Sequence, residues 1–449
     1  MRGGELNTKE LRHSARLIWE AALNAANPGT CIRKFLQLRD NVLIVGGKQI
    51  EIRGRVIVIG AGKPSAKMAQ IVEEILGSYI TGGLIVTKNG HALPLQRVRL
   101  VEAAHPIPDS AGVRAVHDTR ELLRKLNKDD IVLVLISGGG SALWPAPAEG
   151  ITLEEKQEVT SCLLRAGAKI RELNAVRKHL SDIKGGQLAR WASPARVISL
   201  IMSDVIGDPI DFIASGPTAP DTTSFSDALA IVQNYGIEVP DAVGQRFQEG
   251  ARGGIPETPK PGDPVFKSVD NYVIANNRLL VDAAAEKARE LHFNTLLLGT
   301  EVEGEAKDIG RFFAAIARET ASTGNPIKPP ACILAGGETT VTVRGHGIGG
   351  RNQEMALAWA ISIASRPFSA QSCFASVATD GTDGPTSAAG GLVDPFTCSR
   401  AIELGLMPQN FLRSNDSSNF LKATGDLIIT GPTQTNLMDL QILLVGGRQ

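Results

Sequence analysis

131-IVLVLISGGGSALWPAP-147 joins an unbroken apolar run to three consecutive glycines and then a serine. An apolar run without polar alternation is the pattern of a strand covered on both faces, as in a parallel sheet. Glycines at the end of such a strand let several backbone N–H groups converge on an anion. No lysine follows the glycines as it does in a nucleotide P-loop, so the cation for this loop has to come from elsewhere.

Similar short runs recur on both sides of it. They include 56-VIVIG-60, 84-LIVT-87, 197-VISLIMSD-204, 272-YVIAN-276, 295-TLLLG-299, 331-ACILAGG-337 and 374-FASVATDG-381. Segments of helical period separate most of them, such as 65-SAKMAQIVEEILG-77 and 152-TLEEKQEVTSCLLRAGA-168, the latter with Thr152 as its N-cap. The alternation predicts an α/β chain with mostly parallel sheets. At 449 residues two domains are expected. The proline-rich stretch 246–268 reads as a linker between an N-terminal domain over 1–245 and a C-terminal one over 269–449.

Lys+Arg and Asp+Glu balance at 47 each, which gives no overall basic field for nucleic acid or acidic membranes. The five cysteines contain no Cys-x-x-Cys pair, and no apolar run has the roughly 20 residues of a membrane span. A cytoplasmic enzyme, monomer or homodimer, is the expectation.

Six stretches carry chemistry. In 56-VIVIGAGKPSAKMA-69 a strand enters Gly60-Ala61-Gly62, and Lys63 sits in the turn, where its ammonium can reach a ligand. The acidic residue that would grip a dinucleotide ribose about 20 positions on is missing; Thr87-Lys88 stands there. Ser137, Gly138, Gly139, Gly140 and Ser141 form the second loop. In 174-NAVRKHLSDIKGGQLAR-190 a continuous helix would put Arg177 and Lys184 on one cationic face, with Lys178 beside them. The fourth stretch, 201-IMSDVIGDPIDFIASGPTAPD-221, delivers Asp204 at a strand end, where a carboxylate suits general-base work. The fifth, 334-LAGGETTVTVRGHGIGGRNQEMALAWA-360, reads as a strand, an alternating strand Thr340–Val343, a glycine loop with Gly349 and Gly350, and a helix beginning at Arg351. An arginine at a helix N-terminus opposes the helix dipole, which favours a ligand-binding role. In 376-SVATDGTDGPTSAAGGLVD-394 the carboxylates Asp380 and Asp383 are spaced to share a hydrated divalent cation.

In this order GAGKPSAKMA, SGGGSALWPAP, LNAVRKHLSDIKGGQLA, SDVIGDP with SGPT, GGETTVTVRGHGIGGRNQE and ATDGTDGPTSAAGG resemble the class II glycerate kinase family, over roughly residues 10 to 440. The resemblance implies a Rossmann-like N-terminal domain, a C-terminal MOFRL domain and an active site in the cleft between them. It implies ATP-dependent phosphorylation of glycerate to 2-phosphoglycerate, with the lysine of GAGK and the arginine of GGRNQE, here Lys63 and Arg351, as the catalytic pair. With phosphoryl transfer as the reaction, Lys178 and Lys184 would neutralise nucleotide phosphates, and Asp380 with Asp383 would hold Mg2+. An NAD(P)H-dependent hydroxypyruvate reductase is the rival enzyme reading, and a non-catalytic small-molecule binder the rival of another class.

Overall fold

The computed structural model describes residues 7–447. These residues form two compact units, one of residues 28–274 and one that combines residues 7–27 with 275–447.

The first unit holds a six-stranded sheet. Its strands are β4 (Val56–Ala61), β5 (Ile80–Lys88), β6 (Arg99–Ala103), β7 (Ile131–Ile136), β8 (Arg196–Met202) and β9 (Val269–Ala275). They lie in the order β6-β5-β4-β7-β8-β9, and β4 through β8 pair in parallel. β4 and β7 are buried along their whole length, as their uninterrupted apolar runs require. The helices Ser65–Leu76 and Ser110–Leu123 pack on the sheet. The second of these is capped by Asp109, which accepts from Gly112 N at 3.0 Å, and helix Leu153–Arg165 by a reciprocal Thr152–Glu155 box. Caps of this kind contribute about 1 kcal/mol each. From β4 the chain winds outward through β5 to β6, then returns to the opposite flank with β7 and β8. The winding direction therefore reverses between β4 and β7, and ligands of open α/β sheets bind at the carboxyl ends of the strands at such a point. A separate antiparallel meander, β1 (Leu36–Arg39), β2 (Val42–Val45) and β3 (Lys48–Glu51), has strands of four residues each, too short for a periodicity argument.

In the second unit the six-stranded sheet comprises β10 (Asn294–Val302), β11 (Ala331–Gly337), β12 (Ser372–Ala378), β13 (Gly390–Val393), β14 (Leu427–Ile428) and β15 (Asp439–Val445), in the order β10-β11-β15-β12-β13-β14. Only β10 and β11 are parallel; the other pairings are antiparallel. This differs from the expectation of parallel sheets, and β15 is the reason. It inserts antiparallel between β11 and β12 and is itself fully buried, so strands of either orientation are covered on both faces and read alike.

Three further expectations change. The N-terminal helix Thr8–Ala25 packs on helix Asn277–Glu290 and belongs to the C-terminal unit. The stretch 246–268 is not an exposed linker. It opens inside helix Asp241–Ala251, and beyond that Pro259 O accepts from Asp221 N at 2.9 Å while Glu257 Oε1 accepts from Phe225 N at 2.8 Å, which ties it into the first unit. Residues 340–343 form no strand: Thr340 makes an isolated bridge to Glu305, and the Glu305 carboxylate accepts from Thr342 N and Oγ1. Among the described residues no helix is long and apolar enough to cross a membrane.

Candidate active site

At the carboxyl ends of β4 and β7 the two glycine loops are sewn together. Lys63 N donates to Gly138 O at 2.9 Å and Ser137 N to Ala61 O at 3.2 Å. Thr87, at the end of β5, donates its hydroxyl to Gly62 O and Lys63 O at 3.2 and 3.1 Å. Ser137 is buried with its Oγ 3.1 Å from Ser65 Oγ, so that hydroxyl serves the scaffold. Gly62, at φ +150°, leaves no room for a side chain: a Cβ there would lie 1.9 Å from Ser137 Oγ and 2.8 Å from Ser137 O. Beside Gly139 stand the His105 ring and the Lys63 stem; a Cβ would come within 2.9 Å of His105 Cδ2 and 3.6 Å of Lys63 Cγ. The Lys63 stem thus runs alongside the second loop. Gly62→Ala is expected to destabilise the first unit by about 1–3 kcal/mol. A fall in melting temperature that the added change Ser137→Gly partly reverses would verify the contact; an unchanged melting temperature would refute it.

Gly140 begins the short helix Gly140–Leu143 and packs against Ala61 O and Ala214. Ala214 and Ser215 both have positive φ, at 51° and 62°, a strained pair that locks the 208–216 loop onto the glycine loop. Ser141 Oγ lies 3.0 Å from Ser215 Oγ, which donates to Asn174 Oδ1 at 3.1 Å. Asp204 is half-buried just beyond the end of β8, the strand next to β7.

The segment 174–190 does not form one helix. Helix Ile170–His179 stops before Leu180, and Gly185 and Gly186 turn the chain at φ 55° and 83° before helix Gln187–Ala192. Arg177 and Lys184 therefore share no helix face, yet both line one cavity of about 760 Å³ together with Gly139, Ser141, His105 and Lys156. Lys184 is buried and donates to Ser141 O and Oγ at 2.7 and 2.9 Å. Lys156 is buried too and donates to Pro145 O at 2.5 Å. Burial pushes the Lys156 ammonium down to about 7 and holds Lys184 well below the lysine range. Lys178, in contrast, lies outside this cavity, buried against Asp211 and Asp221 at 3.2 and 3.3 Å, its charge matched within the protein.

In the second unit Arg351 opens helix Arg351–Ser365. Its fork is bidentate on Asp439, with Nε to Oδ2 at 2.6 Å and Nη2 to Oδ1 at 2.9 Å, and Nη1 donates to Glu338 Oε1 at 2.7 Å. Burial disfavours the guanidinium charge, but Asp439, Glu338 and Asp383 outweigh it and hold the group above its ordinary range. The side chain keeps 30% of its surface exposed, while Asp439 keeps none. A charged donor is thereby fixed in orientation with part of its edge open.

The helix N-terminus itself is occupied by the protein's own anion. Asp383 Oδ1 accepts from Asn352 N at 3.1 Å, and Oδ2 accepts from Gln353 N and Nε2, both at 2.9 Å. Burial and the nearby Asp439 raise the Asp383 carboxyl to about 6, against these hydrogen bonds. Both oxygens of Asp383 are thus engaged by the first turn of the helix. Asp380 Oδ1 accepts from Thr382 N and Oγ1 at 3.0 Å. Among the described residues no group of three His, Cys, Asp or Glu is placed to hold a metal ion. The two carboxylates of the expected pair thus make separate contacts, Asp383 on the helix N-terminus and Asp380 on the Thr382 turn. Gly350 and Gly349 are glycines for packing: a Cβ at the first would meet Asp383 Cγ at 2.3 Å, and at the second Ser417 Oγ at 2.2 Å.

Three participants escaped the sequence reading. Asp439, which orients Arg351, follows no glycine signature. Asn415 holds the loop before Arg351 by accepting from Arg344 N and Gly345 N at 2.8 and 3.0 Å. Lys156 did leave a signal: it falls on the apolar face of its helix with Val159 and Leu163, where a solvated lysine has no place.

Residues 14–248 match DUF4147, described as a domain of unknown function, and residues 331–439 match the MOFRL family. The chain is 42% identical to a protein of Pyrococcus horikoshii named glycerate 2-kinase, with 97% of each chain covered. It is 44% identical to one of Thermotoga maritima named D-glycerate 2-kinase, covering 87% of this chain and 91% of the other. A crystal structure of a Thermotoga maritima glycerate kinase superposes with a TM-score of 0.86 at 40% identity, over 97% of this chain and all of that one.

Proposed function

The chain belongs to the glycerate 2-kinase family, and from that premise we propose that it transfers the γ-phosphoryl group of ATP to the 2-hydroxyl of D-glycerate. The observation that carries the reading is the pairing of Lys63 with the Ser137–Ser141 glycine loop at the β4/β7 switch point, a lysine beside a glycine loop where α/β sheets bind ligands.

Phosphoryl transfer asks a protein for positioning and charge neutralisation more than covalent chemistry. The substrate hydroxyl oxygen bonds to the γ-phosphorus as the bond to the bridging oxygen breaks, and ADP leaves with that electron pair. Asp204 accepts the hydroxyl proton. Lys63 and the N–H groups of Gly138 and Gly139 neutralise the transferring group, and Lys184, behind Ser141, offsets the remaining phosphate charge. Arg351, held on Asp439 and Glu338, stabilises the equatorial oxygens in the transition state. Magnesium belongs to the triphosphate in this reading, since Asp383 is committed to the helix.

A reductase would need an acid at the end of β5 to grip a ribose; Thr87 and Lys88 stand there, and Thr87 is spent on the Lys63 turn. Enzyme mixed with D-glycerate and magnesium-ATP is expected to release ADP and phosphoglycerate in equal amounts. NADH oxidation by hydroxypyruvate, without ADP release from the first mixture, would sink the kinase reading.

A further inference from the structure

The cavity beside the glycine loop holds more positive charge than glycerate needs. Lys156 and Lys184 are 6% and 2% exposed, Arg177 is half-buried, and all three face the same space of about 760 Å³. Among the described residues no carboxylate stands within ion-pair distance of any of them, and the two lysines donate only to Ser141 and to the Pro145 carbonyl. Buried cations are ordinarily paired, as Lys178, next to Arg177 in the chain, is with Asp211 and Asp221. The rim of the cavity differs in kind: Ile107 and Leu164 are 69% and 55% exposed, large apolar side chains left open to water. A polycationic floor with an apolar rim matches a ligand that carries several phosphates at one end and a flat, poorly hydrated group at the other.

We propose that this cavity seats the nucleoside triphosphate, with Lys156, Arg177 and Lys184 on its phosphates and the base against Ile107 and Leu164. The assignment rests on the kinase reading above and adds to it Lys156, Arg177 and the place of the base. Gly139 lines the same cavity and adjoins Lys63, so a phosphate chain on the three cations ends beside the transferring lysine.

Proton linkage follows from the same groups. The charges facing Lys156 are Asp182, which favours the ammonium, and Arg177 and Arg246, which oppose it; Lys184 faces Lys156 and Arg177. Glu154 and Glu158 stand exposed at the wall, with His105 across from them. Burial leaves Lys156 partly neutral above pH 7, and a bound polyphosphate restores its charge. Binding at pH 8 therefore takes up protons.

The test is calorimetric titration of ATP, inorganic tripolyphosphate, D-glycerate and 2-phosphoglycerate into the intact wild type, Lys156→Met and Arg177→Gln. Each substitution is expected to weaken ATP and tripolyphosphate about tenfold to a hundredfold, the range of one charge-assisted contact, and to leave D-glycerate and 2-phosphoglycerate within about twofold. Proton uptake at pH 8, measured in two buffers of different ionisation enthalpy, is expected to fall in Lys156→Met. Unchanged ATP affinity in both variants, or a loss confined to D-glycerate or 2-phosphoglycerate, overturns the assignment. Circular dichroism and melting temperature identify a misfolded variant, and Arg177→Gln, at a half-buried position, carries the test if Lys156→Met does not fold. Wild-type turnover of D-glycerate with unaltered variant affinities refutes the seat and keeps the kinase; tripolyphosphate binding that needs Lys156, without turnover, does the reverse.

Discussion

Lys63→Ala is expected to lower turnover of D-glycerate with ATP by about a hundredfold or more, the usual cost of losing one electrostatic donor to a transition state, about 2.7–4 kcal/mol. The loop should survive the change. Its path is set by main-chain atoms: Lys63 N on Gly138 O, and the carbonyls of Gly62 and Lys63 under the Thr87 hydroxyl. Alanine keeps all of these, so the melting temperature is expected to stay within a few degrees of wild type. Steady-state kinetics read beside that melting curve settle the matter. A variant that folds and retains turnover within a few fold of wild type removes Lys63 from the chemistry. A rise in KM with kcat intact would instead place it in ground-state binding.

What was legible in the sequence was whatever rests on unbroken apolar runs and glycine positions. β4 and β7 are buried throughout, so their runs have no polar interruption, and the loops at their ends have glycines because main chain or side chain approaches within contact distance. The union of the two loops was half legible. A P-loop without its lysine implies a donor from another strand, and Lys63 stands beside Gly139. Charge pairing was not legible, because it depends on contacts between residues far apart in the chain. Lys178 looked like a ligand for phosphate and is matched by Asp211 and Asp221; Asp383 looked like a metal ligand and caps the helix that Arg351 opens. Both carry the residue type their expected role requires. Only their partners decide the role they serve. Lys156 is the converse case, since its charge on an apolar helix face marked it without naming a partner.

Arg351→Ala makes that distinction measurable. The arginine does two things at once: it offers an open guanidinium edge, and it is the bidentate partner of an Asp439 carboxylate with no exposure to solvent. Its loss should lower turnover by about a hundredfold or more and also destabilise the second unit by about 3–5 kcal/mol, because a buried charge is left without its cation. A single variant cannot separate the two. Adding Asp439→Asn removes the orphaned charge and keeps nearly the same volume, so the double variant is expected to regain most of the lost stability. Turnover should stay as low as in the single variant, since an amide supplies no cation to a phosphoryl group. Denaturant titration and steady-state kinetics on wild type, both single variants and the double variant close the cycle. Recovery of turnover together with stability would mean that Arg351 serves only to hold β15 and helix Arg351–Ser365 together. Recovery of stability alone would leave the arginine in the reaction, with Asp439 as the residue that aims it.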